Sequence, residues 1–182
     1  QLDFNIKKVS LTGANPLRIE PLEGKGKWSQ GVFEPDIQGT ALGSEFGVKG
    51  KLTPQKINTD IHWKELNINQ LPLPKVESWN PTAGIVSGKL NLEGPLPEPE
   101  KPLPEKLKGK LDFHFKELVL ANGSEKISLP RLEGSGNYKG NQLDYQLSGD
   151  IFEGRFKSNG KVKNFKKPDL DSQLEYSNLN LS

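Results

Sequence analysis

One arrangement of apolar residues occurs four times in this chain, and its two-residue alternation breaks at the same place each time. Alternate side chains of a strand lie on opposite faces, so the pattern apolar-x-apolar-x-x-apolar-x-apolar keeps one apolar face only if a β-bulge absorbs an extra residue. The repeated break predicts a long sheet that curves at a fixed place along its strands. The predicted bulges are Lys7-Lys8, Lys64-Glu65, Lys116-Glu117 and Ser177-Asn178. The four copies are Phe4, Ile6, Val9, Leu11; Ile61, Trp63, Leu66, Ile68; Phe113, Phe115, Leu118, Leu120; and Leu174, Tyr176, Leu179, Leu181.

The composition favours an all-β protein with many turns. Only 32% of the 182 residues are hydrophobic, and the chain contains 19 glycines, 14 prolines and no long apolar run. This composition is typical of strands joined by short turns and not of helices or membrane spans. The sequence starts at Gln1 and contains no methionine, so we expect it to be a segment of a longer protein.

The chain also contains an internal duplication, the feature to seek first in a repetitive sequence. Residues 22–52 align without a gap with residues 132–162, an offset of 110 positions. The similarity continues on both sides with small shifts, so that Trp63 falls on Tyr176. We therefore predict three regions: a first β repeat at 1–70, a short strand plus a Pro-rich loop or linker at 71–110, and a second β repeat at 111–182.

Glycine, Asn-Gly and proline signals divide the repeats into strand candidates. In the linker only Gly84–Glu93 has a strand pattern, and the prolines between Pro95 and Pro104 favour an exposed, extended loop. The strands predicted for the repeats are 3–11, 17–28, 32–39, 45–52, 56–69, 111–120, 126–139, 142–150, 153–163 and 169–181.

Long antiparallel strands with one apolar face can protect that face in two ways. Two sheets can pack as a sandwich, or one curved sheet can leave its inner face open to an apolar guest. A sandwich needs a second apolar stripe, which outward positions such as Asp60, His62 and Glu175 do not supply. We therefore predict an all-β fold: a long, curved, mostly antiparallel sheet of two duplicated β units that forms an open, taco-like groove. The alternative is a β-sandwich.

Few side chains offer catalytic or ligand chemistry. The 25 basic and 23 acidic residues nearly balance, which argues against a nucleic-acid partner. There is no cysteine and no catalytic or phosphate-binding motif, so we predict neither an enzyme nor a cofactor. His62 and His114, with Asp60 or Asp112 near them, match no metal-ligand spacing, and we predict solvent-facing histidines and no metal site.

The second copy resembles the repeat of the AsmA-like/TamB superfamily. The resemblance rests on a glycine-marked hairpin from Phe152 to Val162, with glycines at Gly154 and Gly160, and on a closing strand from Pro168 to Leu181. It covers most of the chain but is looser in the first copy, where Gly43-Ser44-Glu45 stands in place of Glu153-Gly154-Arg155.

The resemblance implies a periplasmic segment of a bacterial envelope protein, anchored in the inner membrane by a helix outside this chain. Its β-groove would shield phospholipid acyl chains during transport between the inner and outer membranes, with an outer-membrane barrel or an inner-membrane protein as partner. The predicted groove lining is the set of apolar residues in the four motif copies.

Two other functions stay open. The first is a structural or interaction scaffold of the cell envelope that binds through an exposed sheet edge. The second, weaker one is a carbohydrate-binding module that uses Trp28, Trp63 or Trp79 as a stacking platform. We favour core or groove lining for these rings, because Trp63 lies in the inward series and Tyr138 replaces Trp28 in the second copy.

Overall fold

Long strands joined by tight turns form one antiparallel sheet in the computed structural model, which describes residues 2–6, 9–11, 17–70, 79–96, 104–164 and 169–178. The sheet has twelve strands and follows the chain order from one edge to the other, except that β2 pairs with β3 beside β1. A 3-10 turn, Ile68–Gln70, follows β6. The strands are β1 (Leu2–Ile6), β2 (Val9–Leu11), β3 (Leu17–Ser29), β4 (Val32–Ala41), β5 (Ser44–Leu52), β6 (Lys56–Asn67), β7 (Asn80–Pro95), β8 (Lys108–Asn122), β9 (Glu125–Lys139), β10 (Gln142–Ile151), β11 (Gly154–Lys163) and β12 (Asp169–Ser177).

The predicted fold class is confirmed: the chain forms a long, curved, open antiparallel sheet built from two duplicated units. Every strand of the described ranges belongs to this one sheet, so the alternative of a β-sandwich is wrong for that part of the chain. The sheet stays open because β1 and β12 form its two edges and do not pair with each other.

The predicted bulge at Lys64-Glu65 is present, and the pairing of β7 with β8 is irregular beside Lys116-Glu117. The pairing of β12 ends at Ser177, so the bulge at Ser177-Asn178 stays a prediction. Lys64 and Glu65 lie between the pairs Trp63–Gly88 and Leu66–Val86, where β7 supplies one residue, Ser87. The backbone of Glu65, Glu117 and Asn178 is left-handed, with φ of 55°, 53° and 56°. Such values are uncommon outside glycine. Their recurrence at equivalent positions marks one bend shared by β6, β8 and the end of β12. The fourth predicted bulge, Lys7-Lys8, lies outside the described residues.

Side chains from both neighbouring strands satisfy the bulge at Glu65. The Glu65 amide donates a hydrogen bond to the Ser87 hydroxyl at 2.8 Å, and the Ser44 hydroxyl donates to the Glu65 carbonyl at 2.9 Å. In the second copy Gly154 stands where Ser44 does, and a Cβ added there would lie 2.6 Å from the Ser177 carbonyl oxygen. The two copies therefore keep the same bend with different local contacts.

The strand pairing reproduces the duplication. Phe46 lies opposite Trp63, as Phe156 lies opposite Tyr176. Phe4 lies opposite Gly24, as Phe113 lies opposite Gly134, so β1 and β2 correspond to β8. The strand β7 has no counterpart in either unit, and it pairs with β6 on one side and β8 on the other. It is longer than the predicted strand Gly84–Glu93 and acts as a spacer strand between the units.

Within the described part, no helix is long and apolar enough to cross a membrane.

Candidate functional site

The apolar residues of successive strands line up in rows, because directly opposed residues of antiparallel strands share a face. One row crosses the bend: Leu66, Val86, Phe115, Leu132, Gly149, Phe156 and Tyr176. The next row lies further from the bend: Phe46, Trp63, Gly88, Phe113, Gly134, Leu147, Ser158 and Leu174. We call this side of the sheet the apolar face and the opposite side the polar face.

The predicted lining residues of the middle strands lie on the apolar face, but they differ in access. Ile68 and Leu118 are only 3% and 4% exposed and form a core cluster at the bend with Val86 and Leu129. The side chains half-buried on the same face are Ile61, Trp63, Leu66, Phe113, Phe115 and Leu120.

The edges of the sheet hold the remaining predicted lining residues. On β12, Leu174 and Tyr176 are 51% and 55% exposed. On β1, the register places Phe4 and Ile6 opposite Gly24 and Leu22. Val9 and Leu11 lie opposite Ile19 and Leu17 on β3, and Leu179 and Leu181 lie outside the described residues.

Several residues of the apolar face were absent from the predicted lining. Leu90 and Leu111 pair on β7 and β8 beside Ile61, and Leu147 continues the row of Phe113. They lie outside the four-times repeated motif, which therefore does not predict them. The strict alternation of Val86, Gly88 and Leu90 within β7 is a signal that would have found part of them.

Aromatic rings on this face lie over glycines of the neighbouring strand. A Cβ added at Gly88 would lie 2.5 Å from Cζ2 of Trp63. One added at Gly134 would lie 2.6 Å from Cζ of Phe113 and 2.5 Å from Cδ2 of Leu147. The rings therefore lie down along the sheet, and the glycines provide the space that they occupy.

The polar face carries charged side chains in cross-strand pairs. Lys49 on β5 reaches Asp36 on β4 at 3.1 Å, and Lys89 on β7 reaches Asp112 on β8 at 3.4 Å. Within β9, Arg131 reaches Glu133, two residues further along the same strand, at 2.8 Å. Opposite charges that face each other across strands contribute modestly to stability when exposed. The pairs lie at the surface, with most of their side chains exposed to solvent.

One of these ion pairs changes the acidity of both partners. Lys51 lies 2.8 Å from Glu34, and this hydrogen bond together with the charge of Lys51 lowers the pKa of Glu34 below its usual value. The same contact raises the pKa of Lys51. The Lys51 side chain is 68% exposed and that of Glu34 is 36% exposed, so the pair contributes little to the stability of the fold.

Two cavities of the described residues are lined mainly by residues of the polar face. A cavity of about 1230 Å³ extends from β6 to β12. Its lining includes Lys89, Asp112, His114, Glu133 and Gln146 of the polar face, and also Trp63, Phe113 and Leu147 of the apolar face. A second cavity, of about 790 Å³, lies among Lys25, Glu34, Asp36, Lys49 and Lys51.

The histidines and tryptophans do not converge. His62 and His114 lie on the polar face opposite Lys89 and Ser87, with β7 between them. Among the residues that the structure describes, no group of three or more His, Asp or Glu could hold a metal ion. Trp28 shares a row with Ile57, six positions from Trp63, which is about 20 Å along β6. The two rings thus do not form one stacking platform.

Comparison with models of known protein families, with curated proteins and with solved structures found no match.

Proposed function

We propose that this chain is a periplasmic segment of an AsmA-like envelope protein that shields lipid acyl chains during phospholipid transport between the inner and outer membranes. The observation that carries the proposal is the apolar face itself. It runs across the sheet from β5 to β12, and no second sheet of the described residues covers it. An uncovered apolar surface of this kind is typical of a binding site for an apolar partner.

The mechanism is partition between water and the protein surface. Each methylene of an acyl chain gains about 0.8 kcal/mol when it leaves water. A dry strip of side chains therefore lowers the free energy of an acyl chain that crosses an aqueous compartment. No bond is made or broken, so no catalytic residue is needed.

The exposed end of the face is the part best suited to first contact. Leu170, Leu174 and Tyr176 on β12 are each at least half exposed. Towards β8 the same face becomes filled, since Leu118 and Val86 are buried by their neighbours. An acyl chain would thus bind along the accessible rows and not within the core cluster at the bend.

In this proposal the lipid headgroup stays in water, and its identity has little effect on binding. A helix outside this chain would anchor the protein in the inner membrane. An outer-membrane barrel or an inner-membrane protein would exchange the lipid with it.

The test is site-specific photocrosslinking in living cells that express the full-length protein. A photoreactive side chain is placed at Trp63, Leu174 or Tyr176, and lipid adducts are identified by mass spectrometry. The matched controls are His62, Gln173 and Glu175, the preceding residues on the same strands, which lie on the polar face.

We expect lipid adducts at the three apolar-face positions and few at their neighbours. Equal labelling on both faces would mean non-specific contact with membranes. An absence of adducts at all three apolar-face positions would contradict the proposal and favour the scaffold function.

A further inference from the structure

The strand β12 is an edge strand of the sheet that the structure describes. It pairs with β11, and no described strand pairs with its other side. All nine of its residues are exposed. Natural edge strands are often protected by charged residues, especially lysine, or by proline. Asp169–Ser177 contains neither lysine nor proline, and its charged residues, Asp169, Asp171 and Glu175, are all acidic. The backbone groups on this side are therefore available for another strand.

The chain itself shows what covers the equivalent edge in the first copy. The counterpart of β12 is β6, with Ile61 equivalent to Leu174 and Trp63 equivalent to Tyr176. The two strands share their place in the pairing, because Val48 lies opposite Ile61 as Ser158 lies opposite Leu174. The edge of β6 that β12 leaves bare is occupied by the spacer strand β7.

The residues of β7 match β6 in size on the apolar face. Gly88 lies opposite Trp63, where it leaves room for the ring, and Leu90 lies opposite Ile61. On β12 the same positions hold Tyr176 and Leu174, an aromatic and an aliphatic residue in the same order. A strand with glycine and leucine spaced as in β7 would therefore cover them in the same way.

On the polar face the charges of β12 select among such strands. In the register of β6 and β7, Lys89 lies opposite His62 and Glu93 lies opposite Asn58. The corresponding residues of β12 are Glu175 and Asp171. A strand identical to β7 would form a favourable pair with Glu175 and an unfavourable one with Asp171, since like charges directly opposite destabilise a sheet.

We propose that the free edge of β12 is an interaction surface for a strand of the β7 type. Such a strand runs antiparallel to β12, carries glycine opposite Tyr176 and leucine opposite Leu174, and carries cationic residues opposite Asp171 and Glu175. The strand β7 pairs with β8, the counterpart of β1, on its other side. A strand bound to β12 thus presents an edge that suits β1 of a further unit, and the sheet can continue.

The first experiment uses the whole chain and synthetic 16-residue peptides with the sequence of Asn80–Pro95. Three peptides are compared: the native sequence, Glu93→Lys and Gly88→Val. A scrambled peptide of the same composition is the control. The readout is amide hydrogen exchange of residues 169–177, resolved by NMR or mass spectrometry.

We expect the native peptide to slow exchange in β12 and to leave β6 unchanged. The Glu93→Lys peptide should reach the same protection at about a threefold lower concentration, because an unfavourable charge pair becomes a favourable one. The Gly88→Val peptide should protect less. If neither the native nor the Glu93→Lys peptide protects β12, or if the scrambled peptide protects it equally, the proposal is wrong.

A charge swap in the protein gives an independent check. In the Asp171→Lys variant the preference should reverse, so that the native peptide binds more tightly than the Glu93→Lys peptide. Unchanged preference would show that the peptide does not lie in the proposed register. Lipid crosslinking is not part of this readout, so the edge can fail this test while the apolar face still binds acyl chains.

Discussion

The strands β6 and β12 carry the same motif in different surroundings. β6 lies between β5 and β7, and its Ile61 and Trp63 are half-buried. Among the described strands β12 has one neighbour, and its Leu174 and Tyr176 are more than half exposed. Further along the bend, Leu118 of β8 is almost fully buried. The motif therefore determines which face a residue occupies, and the number of neighbouring strands determines whether that residue is core or surface.

The largest effect that we expect separates two leucines of this face. Leu118→Ala should lower the free energy of unfolding by about 3 kcal/mol, because it leaves a cavity in the core cluster. Leu174→Ala should cost less than about 1 kcal/mol, because its side chain is already half in water. Urea unfolding followed by tryptophan fluorescence measures both, and equal losses would contradict the difference between centre and edge.

Glycine replacements test the packing of rings in the middle of the sheet. Gly134→Ala should destabilise the protein by about 2 kcal/mol, because the new methyl group would collide with Phe113 and Leu147. Gly109→Ala is the matched control, since its nearest neighbour is the end of the Leu92 side chain at 3.3 Å. Thermal unfolding of the two variants gives the comparison. A tolerated Gly134→Ala would mean that the rings have room to stand away from the sheet.

A smaller change in the free energy of unfolding is expected from a hydroxyl group that is buried in β6 and exposed in β12. Thr59 is 2% exposed, and its hydroxyl has no hydrogen-bond partner among the described residues. Thr59→Val should therefore raise the free energy of unfolding by about 1 kcal/mol. Ser172, the equivalent residue of β12, is exposed, and Ser172→Ala should have almost no effect. Chemical denaturation measures the free energy of unfolding of both variants. A loss of stability in Thr59→Val would contradict the prediction and indicate that a water molecule forms a hydrogen bond with the Thr59 hydroxyl.

Replacing the bulge residues that have a left-handed backbone by glycine should raise the stability of the protein by a similar amount. Glutamate at a positive φ carries a steric cost of about 1 kcal/mol that glycine does not. Glu65→Gly and Glu117→Gly should thus raise the melting temperature. Asn178→Gly should raise it less, because asparagine tolerates this conformation better. A drop in the glutamate variants would indicate that their side chains stabilise the bend.

The smallest effect concerns pH. Because Lys51 lowers the pKa of Glu34, the pair contributes stability above the unfolded pKa of Glu34, and this contribution is lost as the pH falls through the folded value. In Lys51→Met the pKa of Glu34 should rise, as measured by NMR titration of its side-chain carboxyl. A titration curve that does not move would show that the ion pair is not formed in solution.

The sequence predicted those features that depend on local pattern. The bulges at Glu65 and Glu117 follow from a break in alternation that only an extra residue can explain, and the repeated pairing follows from the gapless duplication. The burial of Leu118 and the exposure of Leu174 could not be predicted in this way, because burial depends on neighbours that the motif does not specify. The polar-face cavity depends on the twist of the whole sheet and has no signature in any single strand.

The spacer strand β7 makes the number of strands from one unit to the next even. The second unit, β8 to β12, supplies five strands, and consecutive strands of the sheet are antiparallel. If each unit supplied five strands alone, an odd number, the first strand of the next unit would run opposite to the first strand of the unit before it. The bulges of the next unit would then fall at the opposite margin of the sheet. The sixth strand restores an even count, so β6, β8 and β12 all point the same way. Their irregular positions therefore lie towards the same margin of the sheet, displaced by about three residues of β7 between β6 and β8.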